Sequence, residues 1–331
     1  MTPVGDRPYD SSSMSGSASA SILRVDGLAK AFGDVKAVDG LSLEIRRGEI
    51  FGFLGPNGAG KTTTIKMMCG LLRPDRGSVM IDGTDLYAAK RRGLRSIGLS
   101  PQAIVIWETL TCYEQLEFIG RMYELDGPRA KRRSLELLET FGLMDKRNKL
   151  GRTLSGGMQR RLNIALALVH EPEILFLDEP QAGLDPQSRV LVRDYLRTLA
   201  AKTTIVLTTH DMEEADKLSD RVCIIDRGQK LVLDTVENIK AGLGQGDLVE
   251  IELAEDVRES LVPHVPGLQG ENGNIVIQGR TLTLVSSGAS DILAEILQVV
   301  KERGLRMEHL RVRPKTLEDV FIRLTGRGLR E

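Results

Sequence analysis

No stretch of the 331 residues is apolar for the ~20 positions that a membrane-spanning helix needs. The first twenty residues, MTPVGDRPYDSSSMSGSASA, lack the apolar core of a signal peptide. Their Ser, Gly and Pro content reads as a disordered leader, residues 1–20. A membrane role must therefore run through a partner, and the chain itself is expected to be soluble and cytoplasmic. Cysteine is scarce: Cys69, Cys112 and Cys223 make no CxxC or metal spacing, which excludes a disulfide framework. They read as small buried hydrophobes in a reducing compartment. An excess of charge is missing as well. With a net charge of −1 and only short basic runs such as RAKRR (129–133), no field points to nucleic acid, and none is expected as a partner.

What is present is ordinary for a globular protein, 41% hydrophobic and 27% charged. ILRVDGLAKAF and LSLEIRRGE alternate as half-buried strands do, and IFGFLG (50–55) is a continuous apolar run of the kind buried on both faces. SVMIDG, ILFLDEP, TTIVLTTH and RVCIIDRG add further strands with helical stretches between them. This alternation predicts an α/β core with a largely parallel sheet. From about Leu99 to Val169 the pattern is mainly helical, so residues 103–170 read as an inserted helical subdomain. After about Ile239 the texture changes to short alternating runs and two amphipathic helices. AGLGQGD (241–247) marks a boundary, and 240–331 reads as a small α+β domain following a unit at 21–239.

GPNGAGKT (55–62) matches GxxxxGK[ST] in full, between a buried strand and a helix. Gly55, Gly58 and Gly60 let backbone N–H groups curl round the phosphates of a nucleotide. Lys61 adds positive charge, and the Thr62 hydroxyl can ligate Mg²⁺. The helix that follows aims its N-terminal dipole at the same anion. In ILFLDE (174–179), Asp178 ends a buried strand where a carboxylate suits a water-linked role at Mg²⁺. Glu179 is placed to orient or deprotonate an attacking water. His210 closes TTIVLTTH at another strand end, where a γ-phosphate contact fits. Gln102, in GLSPQ, is by itself only a polar loop residue. LSGGMQRR (154–161) opens another helix, whose stripe is Leu162, Ala165, Leu166 and Val169. Ser155, Gly156 and Gly157 therefore sit at a helix N-terminus, which reads as an ordinary Ser N-cap with anion-binding potential.

Together and in this order, these elements resemble the nucleotide-binding subunits of ABC transporters, densely over residues 22–235. The resemblance implies a P-loop NTPase core with an inserted helical subdomain. GPNGAGKT is then the Walker A motif, in which Gly55, Pro56, Asn57, Gly58, Ala59, Gly60, Lys61, Thr62 and Thr63 bind ATP. LSGGMQ is the signature, ILFLDE Walker B, AGLD (182–185) the D-loop, Gln102 the Q-loop glutamine and His210 the H-loop histidine. Phe32, in KAFGDVKAV, stands where the family stacks an aromatic on adenine. The family packs two subunits head to tail, as a homodimer or with a paralogous ATPase subunit. Each ATP then lies between one subunit's Walker A and the partner's signature. Glu179 becomes the catalytic base, Gln102 a ligand of Mg²⁺ and water, Asp178 a Mg²⁺ residue, His210 the γ-phosphate sensor and Asp185 a link between sites. Gln181 departs from the threonine or serine of many relatives. EEAD (213–216) and the closing RVRPKTLEDVFIRLTG resemble the branch that exports drugs and lipids and is similar to daunorubicin-resistance ATPases. That branch implies a separate transmembrane permease, docked through 103–118 around Trp107, and a place on the inner face of the membrane. An importer ATPase is the nearer alternative. A soluble ABC ATPase acting on ribosomes or DNA fits less well, because the chain has one phosphate loop and no heptad array.

Overall fold

The computed structural model describes residues 21–88, 93–244, 246–257, 261–264, 275–286 and 289–325; the expected leader at 1–20 lies outside them. β1 (Ser21–Phe32) and β2 (Val35–Arg46) form an antiparallel pair with alternating burial, and β1 also pairs β4 (Arg76–Ile81). With the two-residue β5 (Thr84–Asp85) they make a four-stranded sheet in the order β2-β1-β4-β5.

The second sheet has the order β10-β9-β3-β8-β7-β6. β3 (Ile50–Leu54) lies parallel to β8 (Thr204–Thr209) and to β9 (Arg221–Asp226). β6 (Ile97–Ser100) and β7 (Ile174–Asp178) continue the parallel set, and only β10 (Gln229–Thr235) runs antiparallel, at the edge. Every residue of β3 and β7 is buried, as strands covered on both faces require. β6 corrects the expectation that the chain turns helical from about Leu99. Four residues are too short a run to show a period, and Gly98 hides it further. A Cβ there would lie 2.2 Å from the Ala167 carbonyl oxygen, so glycine lets α4 (Gly156–Leu168) pack directly on the strand.

The helices between the strands begin on identifiable caps. α2 (Cys112–Met122) starts on a capping box made by Thr111 and Glu114, and α3 (Gly127–Thr140) on Asp126 with proline in its first turn. α4 (Gly156–Leu168) starts on Ser155, and α5 (Pro186–Ala200) on Asp185 followed by Pro186. α2, α3 and α4 bury Leu116, Leu137, Leu138, Phe141, Leu162 and Val169 in one cluster with Leu175 and Leu177 of β7. The three cysteines are free and buried; burial pushes the thiols of Cys69 to about 11 and Cys223 to about 12.

Beyond α7 (Val236–Ala241) a third sheet, all antiparallel, has the order β12-β13-β11-β14. Its strands are β11 (Asp247–Leu253), β12 (Ile275–Gln278), β13 (Thr281–Ser286) and β14 (Met307–Arg313). α8 (Ala289–Glu302) covers one face, where Ile296 and Val300 meet Val249, Ile251 and Leu284. The last helix, α9 (Leu317–Thr325), packs elsewhere. Its Leu317, Val320 and Phe321 join Leu54 of β3, Met212 and Ala215 of α6 (Met212–Leu218), and Val236 and Ile239 of α7. The tail of the chain thus closes the core immediately behind the strand that leads into residues 55–60.

Candidate active site

The phosphate loop is held rigidly by its neighbours. Gly60, which caps α1 (Lys61–Met68), has φ of +102°, and a Cβ on it would lie 2.2 Å from the Ala37 carbonyl oxygen. No side chain fits there, and the left-handed φ disfavours one in any case. The Ala59 carbonyl accepts from the Gly228 N–H at 3.0 Å, and the Ala59 N–H donates to Pro56 O at 3.2 Å. Lys61 is buried and its Nζ donates to the carbonyls of Gly55 (2.7 Å) and Pro56 (3.0 Å). Burial pushes its ammonium down, while the nearby carboxylates of Glu179 and Asp178 pull the other way.

Parallel pairing brings the C-terminal ends of β3, β7 and β8 together, and the polar residues expected there converge. Asp178 Oδ1 accepts from Thr62 Oγ1 at 3.3 Å and from Thr208 Oγ1 at 2.5 Å. Thr208 Oγ1 also accepts the Glu179 N–H at 3.0 Å. Glu179, almost fully buried, has φ of +50°, uncommon for a residue with a side chain. Its carboxylate meets two groups: Gln102 Nε2 donates to Oε2 at 3.3 Å, and His210 Nδ1 lies 3.0 Å from Oε1. A carboxylate only accepts, so Nδ1 carries the proton in this pairing. Asp211, one residue on, caps α6 by accepting from the Glu214 N–H, which fixes the turn that presents His210.

Hard oxygen donors are what Mg²⁺ takes, and it keeps several waters and phosphate oxygens besides. The Thr62 hydroxyl and Asp178 carboxylate fit that pattern. Among the described residues no cluster of three or more His, Cys, Asp or Glu forms a metal cage of its own.

Other predicted residues stand apart. Phe32 is 53% exposed at the end of β1, with Lys30 Nζ 5.8 Å from its ring centre. Ser155 and Gly156 are exposed at the start of α4, and among the described residues the Ser155 hydroxyl accepts only the Met158 N–H, at 3.3 Å. Among the described residues no hydrogen bond joins 155–157 to the phosphate loop. Gly157 instead abuts the D-loop segment: a Cβ there would lie 3.8 Å from Asp185 Oδ2. Asp185 is exposed and accepts from the Ser188 N–H (2.9 Å) and Oγ (2.7 Å), and these bonds hold its carboxyl below the usual range.

Two contributors were missed by sequence reasoning. Thr208 sits one residue inside a strand end, and only the register of β7 with β8 reveals that it serves both acids. Arg160, inside LSGGMQRR, is buried and, among the described residues, donates to backbone carbonyls alone. A charged residue on the apolar side of α4, three positions before the equally buried Asn163, was the available signal.

Residues 38–182 match the ABC transporter family. Over 309 residues the chain is 40% identical to a daunorubicin resistance ATP-binding protein of Streptomyces coeruleorubidus, covering 92% of this chain and 96% of that one. The chain belongs to the ATP-binding subunits of ABC transporters. The ABC subunit is also 38% identical to a Nod factor export ATP-binding protein I of Ralstonia nicotianae over 324 residues, 96% of this chain and 97% of that one. It is 35% identical to a linearmycin resistance ATP-binding protein of Bacillus subtilis, covering 94% and 100%. Among solved structures, an ATP-binding subunit of an ABC transporter superposes with a TM-score of 0.63 at 30% identity, covering 67% of this chain and 93% of that one. As an ABC ATPase the chain binds ATP and works with a membrane permease. Among the described residues no helix is long and apolar enough to cross a membrane.

Proposed function

We propose that this ABC subunit hydrolyses MgATP at a composite site between two copies, or between one copy and a paralogue, and so drives export through a separate permease. The observation that carries the catalytic reading is the convergence of Gln102 and His210 on the two carboxylate oxygens of Glu179, beside the Thr62–Asp178 pair. In this reading Lys61 and the backbone N–H groups of 57–63 cradle the β- and γ-phosphates, with Gly55 and Pro56 shaping the turn, and Phe32 stacks on adenine. Thr62, Asp178 and Gln102 hold Mg²⁺, which supplies charge neutralisation at the phosphates. Glu179 takes the proton of the attacking water, and His210 orients the carboxylate and meets the γ-phosphate. Ser155, Gly156 and Gly157 serve the partner's ATP, with Asp185 linking the two sites. The exposure of Ser155 and Gly156, and the lack among the described residues of a bond from 155–157 to their own phosphate loop, support that assignment.

Relatives named for drug resistance and for export support cargo of the drug, antibiotic or lipid-like class. A groove of about 390 Å³ between the parallel sheet and the helices supports docking of a permease on the inner face of the membrane. Leu71, Leu94, Val105, Trp107, Ile119 and Tyr123 line it, and Trp107, edge-on to Phe118, is 41% exposed. We read 21–239 as the nucleotide-binding unit, with its helical subdomain at 103–170, and 240–331 as an α+β unit whose last helix buttresses the first.

The test is Glu179→Gln. A general base contributes about 10²–10⁴-fold, so turnover should fall at least a hundredfold while ATP affinity is kept. Brisk hydrolysis by this variant removes Glu179 as the base.

A further inference from the structure

Arg160 is 3% exposed, yet among the described residues it touches no carboxylate. Its Nη1 donates to the carbonyls of Pro101 (2.8 Å) and Gln102 (2.9 Å). Its Nη2 donates to those of Asp178 (3.3 Å) and Glu179 (2.5 Å). Burying an arginine is costly, and four carbonyl acceptors from two segments are what offsets the cost here. Burial still pushes the guanidinium down, while the charges of Asp178 and Glu179 pull the other way.

We propose that Arg160 is a positioning residue that fastens the Gln102 loop to the Glu179 peptide, so that displacement on the docking side reaches the carboxylate that takes the proton of the attacking water. The inference rests on the reading of Glu179 as the base. Three observations converge on it. First, the Glu179 peptide is gripped from both sides, its N–H by Thr208 and its carbonyl by Arg160, at a residue held at φ +50°. A left-handed conformation at a non-glycine residue persists where its surroundings over-determine it. Second, α4 holds the same loop at another point, since Asn163 Nδ2 donates to Ser100 Oγ at 2.9 Å and Asn163 Oδ1 accepts the Val105 N–H at 3.1 Å. Residues 100–105 therefore ride on α4. Third, Val105 and Asn163 also line the groove at which the permease is placed, so the loop and the groove share walls. A shift of α4 cannot leave the Gln102 and Glu179 carbonyls behind without breaking bonds to one guanidinium.

A lysine keeps the charge but ends in one ammonium that cannot span both segments. A methionine keeps the stem and removes every donor. Full-length chains carrying Arg160→Met, Arg160→Lys, Gln102→Ala, Glu179→Gln and the Arg160→Met/Gln102→Ala pair are compared by kcat, KM for MgATP and direct ATP binding. The expected result for Arg160→Met is a kcat at least tenfold lower, with KM and ATP affinity within twofold. Arg160→Lys should recover less than half of the loss. Because Arg160 and Gln102 act through one carboxylate, the double variant should be no slower than the slower single variant. Wild-type kcat in Arg160→Met, or single losses that multiply in the pair, overturns the proposal. Should Arg160→Met fail to fold, Arg160→Lys decides: a lowered kcat at unchanged KM sustains the proposal, and wild-type kcat sinks it. Turnover by Glu179→Gln would instead remove the base on which the inference rests, and is read separately.

Discussion

Two glycine-rich turns of this subunit stand before helix N-termini, at 55–60 and at 154–157, and their surroundings are opposite. The first is enclosed. Gly60 has room for no Cβ, Gly228 is bonded to the loop, and Asp178 and Glu179 stand beside it. The second is open. A Cβ on Gly156 would meet nothing within 4 Å, and among the described residues the Ser155 hydroxyl bonds only its own helix. A helix N-terminus attracts anions in either setting. Only the first has the rest of a catalytic site around it. The difference teaches that the glycines answer to different constraints: at Gly60 the left-handed φ and the Ala37 carbonyl admit no side chain, whereas Gly156 has open space beside it, which on the proposed reading admits the partner's ATP.

The sharpest way to break this comparison is to add one methyl group to each. Gly60→Ala forces a Cβ against the Ala37 carbonyl at a left-handed φ. ATP affinity should fall more than a hundredfold, about 2.7 kcal/mol. Gly156→Ala meets no atom and replaces glycine by a better helix former. Its melting temperature should be unchanged or slightly raised and its ATP affinity wild-type, while dimeric turnover falls. Equal losses of ATP affinity in the two variants would erase the distinction. Equilibrium titration with ATP, beside a thermal melt, reads both.

Next in size is the mixture of a Lys61→Ala chain with a Ser155→Arg chain. Each homodimer has two damaged sites. A mixed dimer built head to tail has one site in which an intact phosphate loop faces an intact signature. ATPase activity absent from both parents should appear on mixing. No recovery, with mixed dimers demonstrated by tagged co-purification, would mean that 155–157 serve their own chain.

The enclosed turn was the more legible of the two in the sequence, because its chemistry depends on residues adjacent in the chain: a buried strand, GxxxxGKT and a helix. Asp178, Glu179 and His210 were legible as strand ends, since parallel strands deliver their C-terminal ends to one edge of the sheet. What stayed hidden depends on register and on backbone acceptors. Thr208 matters through its place opposite Asp178 across a strand pair, and Arg160 through carbonyls, which no side-chain pattern encodes. β6 was hidden by brevity and by Gly98. The amphipathic pattern of α9 shows that Leu317, Val320 and Phe321 must be buried, but not that Leu54, behind the phosphate loop, is what they cover. The open turn was legible from its own residues only as a cap, since the use proposed for it needs a surface that one chain does not contain.

The smallest expected effect separates those two uses of Ser155. As an N-cap its oxygen satisfies one orphan amide of α4, which is worth about 0.5–2 kcal/mol when lost to alanine. Asparagine and aspartate cap as well as serine does, so stability should stay within about 0.5 kcal/mol of wild type in both variants. Aspartate gains further from the helix dipole. A cap tolerates either residue, but an approaching γ-phosphate does not, because aspartate sets a negative charge where the partner's anion must arrive. Ser155→Asn should therefore keep measurable turnover and Ser155→Asp lose it, both with wild-type melting temperature and wild-type ATP affinity in the single chain. If Ser155→Asp hydrolyses ATP as fast as Ser155→Asn, no anion approaches this turn and Ser155 is a cap alone.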